Sequence, residues 1–180
     1  NRKNDDLSGY DILMRAIELN VDLDAFEKLV NLVEKVQIDK AKREFYEALS
    51  KFQSQVPPIL KSSEVNMGAG RPRYNYASLY DIISKIQKPL GEANLSFRWD
   101  VKNDDVMIEV TCILSHKGGY EIQTSIAAPR DSSPGKSTVQ AIASTITYLK
   151  RYTLISLLGI GTADPDDDAQ ATINVDKKQE

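Results

Sequence analysis

Apolar and polar residues alternate along three stretches in the middle of the chain, over 95–101, 106–114 and 120–126. Successive side chains of a strand point to opposite faces, so this alternation predicts three strands, each with one apolar and one polar face. Polar and glycine residues over 103–105 and 117–119 supply the turns. The pattern is typical of an antiparallel sheet that is covered on one side only.

Apolar residues three or four positions apart predict a helix over 137–158, which we expect to cover the apolar face of the sheet. Its apolar side comprises Val139, Ile142, Ala143, Ile146 and Leu149. A polar stripe follows another side of this helix, at spacings of four, four and three, through Gln140, Ser144, Tyr148 and Arg151. No Asp or Glu occurs between Ser132 and Ala163. A polar face without negative charge suits a polyanion, but a core helix with an ordinary solvated side fits equally well.

A long helix is predicted over 24–55, where apolar residues again recur every three or four positions. Asp24, followed by Glu27, resembles a capping box at its start, and the two prolines at 57–58 end it. Such a helix is about 48 Å long, more than a compact domain of this size requires. We therefore expect it to reach a partner or a neighbouring subunit.

The complete pattern predicts an α+β fold: an antiparallel β-β-β-α core with an extra β-hairpin and a long N-terminal helix. The other elements are a short helix over 11–19, hairpin strands over 59–67 and 73–76, and a helix from 79 that Ser78 and Asp81 cap. We divide the chain into an N-terminal extension (1–23), one domain (24–163) and an acidic, flexible C-terminal segment (164–180).

The net charge of −3 is unevenly distributed. Residues 56–163 carry 12 basic and 9 acidic side chains, whereas 1–55 carry 9 and 11, and 164–180 carry 2 and 6. The centre of the chain is therefore basic, which favours a polyanionic partner. Its basic residues are grouped at Arg71 and Arg73, Lys85 and Lys88, His116 and Lys117, and Lys150 and Arg151.

Little in the sequence points to catalysis. The single cysteine, Cys112, alternates with apolar residues, so we expect a buried thiol rather than a nucleophile. The only histidine, His116, has no Cys or His companions, so we expect neither a metal site nor a cofactor. No apolar run approaches the ~20 residues of a membrane span, and no secretory signal is visible, so the default expectation is a cytoplasmic protein.

The segment 134–138 (Pro-Gly-Lys-Ser-Thr) resembles a phosphate-binding loop. Arg130 occupies the position where that motif needs a glycine, so we do not expect ATPase activity. The segment fits a helix N-terminus better, with Ser137 or Thr138 as the cap. The N–H groups of that terminus, with Lys136 beside them, could hold a nucleic-acid phosphate.

Two further segments each have two interpretations. The acidic run 164–168 could bind the metal of a nuclease, but a contiguous run after glycines is more often the start of a solvated tail. The segment 71–76 (Arg-Pro-Arg-Tyr-Asn-Tyr) combines guanidinium groups, which bind phosphates, with rings that stack on bases. Alternatively, it is a strand whose tyrosines pack in the core while its arginines are solvated.

Four segments, in order, resemble the ERF family of phage single-strand annealing proteins. They are 41–53 (AKREFYEALSKFQ), 74–83 (YNYASLYDII), 138–152 (TVQAIASTITYLKRY) and 157–160 (LLGI), the last followed by acids. The resemblance covers roughly residues 25–169. It implies an ATP-independent protein, not an enzyme, that binds single-stranded DNA, pairs complementary strands in phage recombination and assembles into rings or helical filaments.

The resemblance also implies a core related to that of other single-strand annealing proteins, with DNA in an outer groove. The host bacterial cytoplasm is the implied location, and a phage exonuclease or a host single-strand-binding protein is a candidate further partner. Two sets of residues would border the groove: Arg73, Tyr74 and Tyr76, and Gln140, Ser144, Tyr148, Lys150, Arg151 and Tyr152. The basic residues Arg71, Lys117 and Lys136 complete the predicted DNA-binding set.

Two other functional classes stay open. One is a metal-dependent nuclease that uses the Asp164–Asp168 cluster, which Mg²⁺-dependent degradation of DNA would favour. The other is a phage protein-interaction module without a role in DNA binding, which the absence of salt-sensitive DNA affinity would favour.

Overall fold

The structure, a computed structural model, describes residues 8–61, 63–65, 74–104, 106–133 and 135–163, without the side chains of residues 64, 65 and 74. Its elements are α1 Gly9–Glu18, α2 Leu23–Gln55, β1 Ser63–Val65, β2 Tyr74–Tyr76, α3 Leu79–Glu92, β3 Leu95–Asn103, β4 Met107–His116, β5 Glu121–Pro129 and α4 Thr138–Leu158. The predicted α+β class, the β-β-β-α core, the extra hairpin and the long N-terminal helix are confirmed. The predicted glycine turn of the hairpin lies outside the described residues.

β3, β4 and β5 form an antiparallel sheet with β4 in the centre. Its inner face is apolar, and the β4 residues on that face are completely buried, namely Ile108, Val110, Cys112 and Leu114. α4 packs across β4 and β5. The outer face is polar except for buried Ile113, and there the hydroxyls of Thr111 and Ser125 lie 2.7 Å apart on neighbouring strands. One side of the sheet is thus covered and the other is open, as the alternation predicts.

Two apolar clusters hold α4 on the sheet. The larger cluster joins α2, α3, the sheet and the C-terminal half of α4, and its completely buried helical members are Phe45, Phe52, Ile82, Ile86, Leu154 and Leu158. The smaller cluster comprises Ile108, Val110 and Leu149, with partly buried Trp99 and Ile146 packed against it. Because apolar burial is the main stabilising contribution, the position of α4 is set along most of its length.

α2 is a continuous helix of 33 residues. Its N-cap is Asp22, whose carboxylate accepts a hydrogen bond from the N–H of Ala25 at 3.0 Å, so the predicted start at Asp24 is wrong by two residues. Asp22 caps the helix in place of Asp24, because its extended backbone brings its carboxylate to an N–H group of the first turn that has no partner within the helix. Only the second half of α2 enters the main core, while α1 packs on the first half beside Val33.

The buried side of α4 differs in part from the predicted apolar side. Val139 is 77% exposed and Ala143 is also exposed, whereas Thr145 and Thr153 are buried. Both threonine hydroxyls donate to carbonyl groups one turn earlier in the helix, at 3.2 and 2.8 Å. A hydroxyl that is satisfied in this way costs little to bury, so polarity alone does not identify the buried side of a helix.

The end of the described chain ties the hairpin to α4. The N–H of Lys61 donates to the carbonyl of Ala163 at 2.9 Å, and the N–H of Ala163 donates to the carbonyl of Ile59 at 3.0 Å. The side-chain amide of Gln53 donates to the carbonyl of Leu158 at 2.9 Å, beside the left-handed Gly159 that ends the helix. The first two bonds hold the segment before β1 beside the residues that follow α4, and the third joins α2 to the end of α4.

Candidate nucleic-acid interface

Arg151 lies at the centre of an aromatic cluster on the C-terminal half of α4. Its guanidinium carbon lies 4.7 Å from the ring centroid of Tyr76, 5.2 Å from that of Tyr152 and 5.6 Å from that of Tyr148. We call Tyr76, Tyr148, Arg151 and Tyr152 the Arg151 cluster. Cation–π attraction acts over such distances, so the guanidinium and the rings hold one another in position.

Two elements supply this cluster. Tyr148 and Tyr152 are one helical turn apart on α4, and their ring centroids are 4.4 Å apart with 44° between the ring planes. Tyr76 belongs to β2, and Nη1 of Arg151 donates a long hydrogen bond of 3.4 Å to the carbonyl of Ala77, the residue after that strand. Tyr76, the last residue of the sequence motif 71–76, therefore meets the polar stripe of α4.

The cluster is open to solvent. The side chains of Tyr148 and Tyr152 are 52% and 42% exposed, although aromatic rings are costly to leave in water. Arg151 is partly buried, and no carboxylate among the described residues forms a salt bridge with it. The cluster thus presents ring faces together with a positive charge that forms no ion pair within the described part of the chain.

A cleft of about 220 Å³ adjoins the cluster, between the hairpin and α4. Its lining residues are Lys61, Asn75, Tyr76, Ala77, Arg151, Tyr152, Ile155 and Thr162. Two of these residues are cations and two are tyrosines. A planar, negatively charged ligand would find both kinds of contact along this edge of α4.

Lys150 extends the basic surface toward the sheet. Its ammonium nitrogen lies 5.2 Å from the ring centroid of Trp99 on β3. The indole N–H of Trp99 is buried, and no hydrogen-bond acceptor reaches it within the described part of the chain. The ammonium group of Lys150 therefore lies over the Trp99 ring, at the edge of the smaller apolar cluster.

The N-terminal part of the polar stripe is engaged in contacts within the protein. Asp131 accepts hydrogen bonds from the ammonium group of Lys136, from the N–H of Ser133 at 2.9 Å and from the hydroxyl of Ser144 at 2.8 Å. These donors, Lys136 first, hold the pKa of the Asp131 carboxyl well below its usual range. Gln140 accepts from the N–H of the N-cap residue in a capping box. An acid from outside the helix thus meets the stripe at Ser144.

Ser137 is the N-cap of α4, so residues 137 and 138 start a helix, as predicted. Lys117 lies elsewhere, in the β4–β5 turn beside a cleft whose other lining residues include Glu44, Glu47 and Lys51. That cleft shares no lining residue with the cleft beside the Arg151 cluster. The structure therefore separates Lys117 from the tyrosines with which the sequence analysis grouped it.

Several predicted residues lie outside the description. They are Arg71, Arg73, the side chain of Tyr74 and the acidic cluster 164–168. Within the described ranges no group of His, Cys, Asp or Glu side chains is arranged to hold a metal ion. Burial raises the pKa of the Cys112 thiol to about 12, which confirms the expected buried thiol and leaves it un-ionised at neutral pH.

Trp99 and Ala77 are the parts of this surface that sequence reasoning missed. Alternation assigned Trp99 to the apolar face of the sheet, and a residue on that face is expected to contact the covering helix. The position of Lys150 beside the buried Leu149 was an available signal, because a long side chain at such a position reaches over its neighbours. No sequence signal identifies the carbonyl of Ala77 as the acceptor for Arg151.

A family model described as the ERF superfamily matches residues 45–180 of the chain. The match begins within α2 and includes the hairpin, the sheet and α4. No curated protein and no solved structure matches the chain. Among the described residues, no helix is both long and apolar enough to cross a membrane.

Proposed function

Because the chain belongs to the ERF superfamily, we propose that it binds single-stranded DNA and anneals complementary strands in phage recombination, without ATP and as an oligomeric ring or helical filament. The observation that carries the DNA-binding part is the surface of α4. There, Arg151 lies beside exposed tyrosine rings and Lys150 lies over the ring of Trp99, on a helix that contains no acid.

An annealing protein must hold one strand while its base edges stay accessible to a second strand. Contacts to phosphates and to base faces meet this need, whereas hydrogen bonds to base edges would block pairing. The surface of α4 offers cations, hydroxyls and rings, which bind any sequence. We propose Tyr148, Lys150, Arg151 and Tyr152 as its central contacts, supported by Tyr76.

The other predicted residues take peripheral positions in this proposal. Lys136, Gln140 and Ser144 border the strand at the N-terminal end of α4, where their own hydrogen bonds keep them in place. Lys117 would contact DNA only where the strand passes from one protomer to the next. Arg71, Arg73 and Tyr74 remain predictions from the sequence.

Assembly follows from the same physical argument. One protomer with a few cations binds a strand weakly, and a row of protomers multiplies the contacts along that strand. The helical pair α1–α2 is the proposed packing surface, because several large apolar side chains on it are exposed, among them Ile17, Leu19, Leu23, Leu32 and Val36.

Strand pairing forms and breaks no covalent bond, so we propose a binding protein rather than an enzyme. It would act in the cytoplasm of the bacterial host. A phage exonuclease that exposes single strands, or a host single-strand-binding protein that covers them, is the kind of further partner this role needs.

Annealing of two complementary labelled oligonucleotides tests the proposal, at several salt concentrations, without ATP and alongside a sizing run. We expect the protein to anneal the strands faster than buffer alone does, and this acceleration should decrease as the salt concentration rises. The active species should be larger than a monomer in the sizing run. Non-complementary oligonucleotides control for aggregation. A protein that neither binds nor anneals would contradict the proposal, and degradation of the oligonucleotides with Mg²⁺ would favour the nuclease.

A further inference from the structure

We propose that Tyr148 and Tyr152 form a nucleobase-stacking surface, which Arg151 holds in position and which leaves the pairing edges of the bound bases free. This inference rests on the proposed function and specifies how the strand is held. It concerns two rings on successive turns of α4, with centroids 4.4 Å apart.

The exposure of these rings is the first step of the argument. Tyr148 and Tyr152 are about half exposed, while Leu149 and Thr153, the residues that follow them on α4, are buried. The neighbouring positions of α4 therefore face the protein core, and two large rings remain at the surface. A flat aromatic partner would remove the exposed ring faces from water, and every nucleobase has such a face.

The second step is the restraint on the rings. Arg151 contacts both rings and also Tyr76, and its Nη1 bonds to the carbonyl of Ala77. A guanidinium with these contacts has lost much of its freedom before any ligand binds. Pre-organised rings lose less conformational entropy on binding than mobile ones do, which strengthens the interaction. We therefore assign Arg151 as a positioning residue for the tyrosines.

The third step is the surrounding charge. Lys61 and Arg151 line the adjoining cleft, and Lys150 lies next to Arg151 in the sequence. The helix itself contains no acid. Phosphates of the strand whose bases stack on the rings would thus lie among cations, and no residue of α4 offers a basic peptide an ion pair.

Stacking also fits the reaction. A base held by its face keeps its Watson–Crick edge unoccupied, so a second strand can test pairing without first displacing a protein group. Hydrogen bonds to the edges would make the protein a competitor of the second strand. The proposed surface therefore adds affinity without opposing annealing.

The test compares two oligonucleotides of equal length and charge, oligo-dT and an abasic strand, by fluorescence anisotropy on the full chain. We expect tighter binding of oligo-dT, by about five- to 150-fold for each base that stacks. The double variant Tyr148→Leu/Tyr152→Leu should lose this preference and keep its affinity for the abasic strand. The variant Tyr148→Phe/Tyr152→Phe should retain the preference, because stacking needs the ring and not the hydroxyl.

Controls separate stacking from folding and from DNA binding itself. Tyr80→Leu alters another exposed tyrosine, on α3 and outside both the Arg151 cluster and the lining of its cleft, and should leave both affinities unchanged. Arg151→Lys keeps the charge but not the planar group, so it should lower the preference for oligo-dT more than the affinity for the abasic strand.

Equal binding of the two oligonucleotides by the unaltered protein would overturn the stacking surface and leave single-strand binding intact. An equal loss of both affinities in the leucine variant would overturn it as well. Failure to bind either oligonucleotide would contradict the proposed function instead.

Discussion

The guanidinium of Arg151 on α4 stacks on the ring of Tyr76 on β2, with 4.7 Å between the guanidinium carbon and the ring centroid. Seventy-five positions separate the two residues in the sequence, and the contact joins the hairpin to the covering helix. It connects a short two-stranded sheet, which has little stability of its own, to an element that two apolar clusters hold in place.

This contact should contribute measurably to stability. In a double-mutant cycle of Tyr76→Leu and Arg151→Met, we expect a coupling free energy of about 0.5–1 kcal/mol, the range of partly exposed cation–π pairs. Urea unfolding of the four proteins measures it. The pair Tyr10→Leu and Arg151→Met is the control, and a coupling as small as the control value would mean that the two residues do not interact in solution.

Lys150 should contribute a phosphate contact. Lys150→Met keeps an apolar stem over Trp99 but removes the charge, so we expect weaker binding of every single strand and a salt slope smaller by about 0.7. Anisotropy titrations at several salt concentrations measure both. Trp99 is the only tryptophan, so its emission reports binding at this site directly.

The control for Lys150 is Lys88→Met, which removes an exposed charge from α3. If Lys150→Met leaves the salt slope unchanged and weakens binding only because the variant is less stable, Lys150 is a structural residue and not a phosphate contact.

Asp131 should stabilise the start of α4 at neutral pH, and this stabilisation should be lost in acid. Its donors, Lys136 first, lower its folded pKa below the ordinary 3.8, so its contribution is fully present above 3.8. That contribution is lost as the pH falls from 3.8 through the folded value. We expect Asp131→Asn to be less stable than the parent at neutral pH and to lose less stability on acidification.

Urea midpoints measured at neutral pH and at several values below about 4 test this expectation. Asp100→Asn, which removes an exposed carboxylate from β3, is the control. Parallel pH profiles for the parent and Asp131→Asn would show that the ion pair with Lys136 does not form in solution.

The α1–α2 pair should carry the assembly. Leu32 and Val36 lie one turn apart on α2 and are exposed, so Leu32→Gln/Val36→Gln should change the free energy of unfolding by no more than about 0.5 kcal/mol per site. The same variant should elute as a smaller species than the parent protein in the sizing run.

Val106→Gln, in the turn between β3 and β4, is the control, because it removes an apolar side chain that is exposed but lies outside the α1–α2 pair. An unchanged elution volume would locate the subunit contacts elsewhere. Deletion of the whole of α2 cannot make this distinction, because Phe45 and Phe52 belong to the core.

The sequence was sufficient for most of the fold. The strands β3, β4 and β5 and the helices were predictable because burial of one face imposes a period of two on a strand and about 3.6 on a helix. Ser78 with Asp81 and Ser137 before α4 were identifiable because a cap is a local interaction within four residues. The buried side of α4 was only partly predictable, because Thr145 and Thr153 satisfy their hydroxyls within the helix.

The candidate site divides in the same way. The spacing of Tyr148, Arg151 and Tyr152 determined that they share a side of one helix, whichever fold surrounds it. Only the tertiary structure decided that Tyr76 joins them, that Lys150 covers Trp99 and that Asp131 engages Ser144. Local patterns follow from the geometry of a single element, whereas these contacts join elements whose relative positions depend on the burial of the whole core.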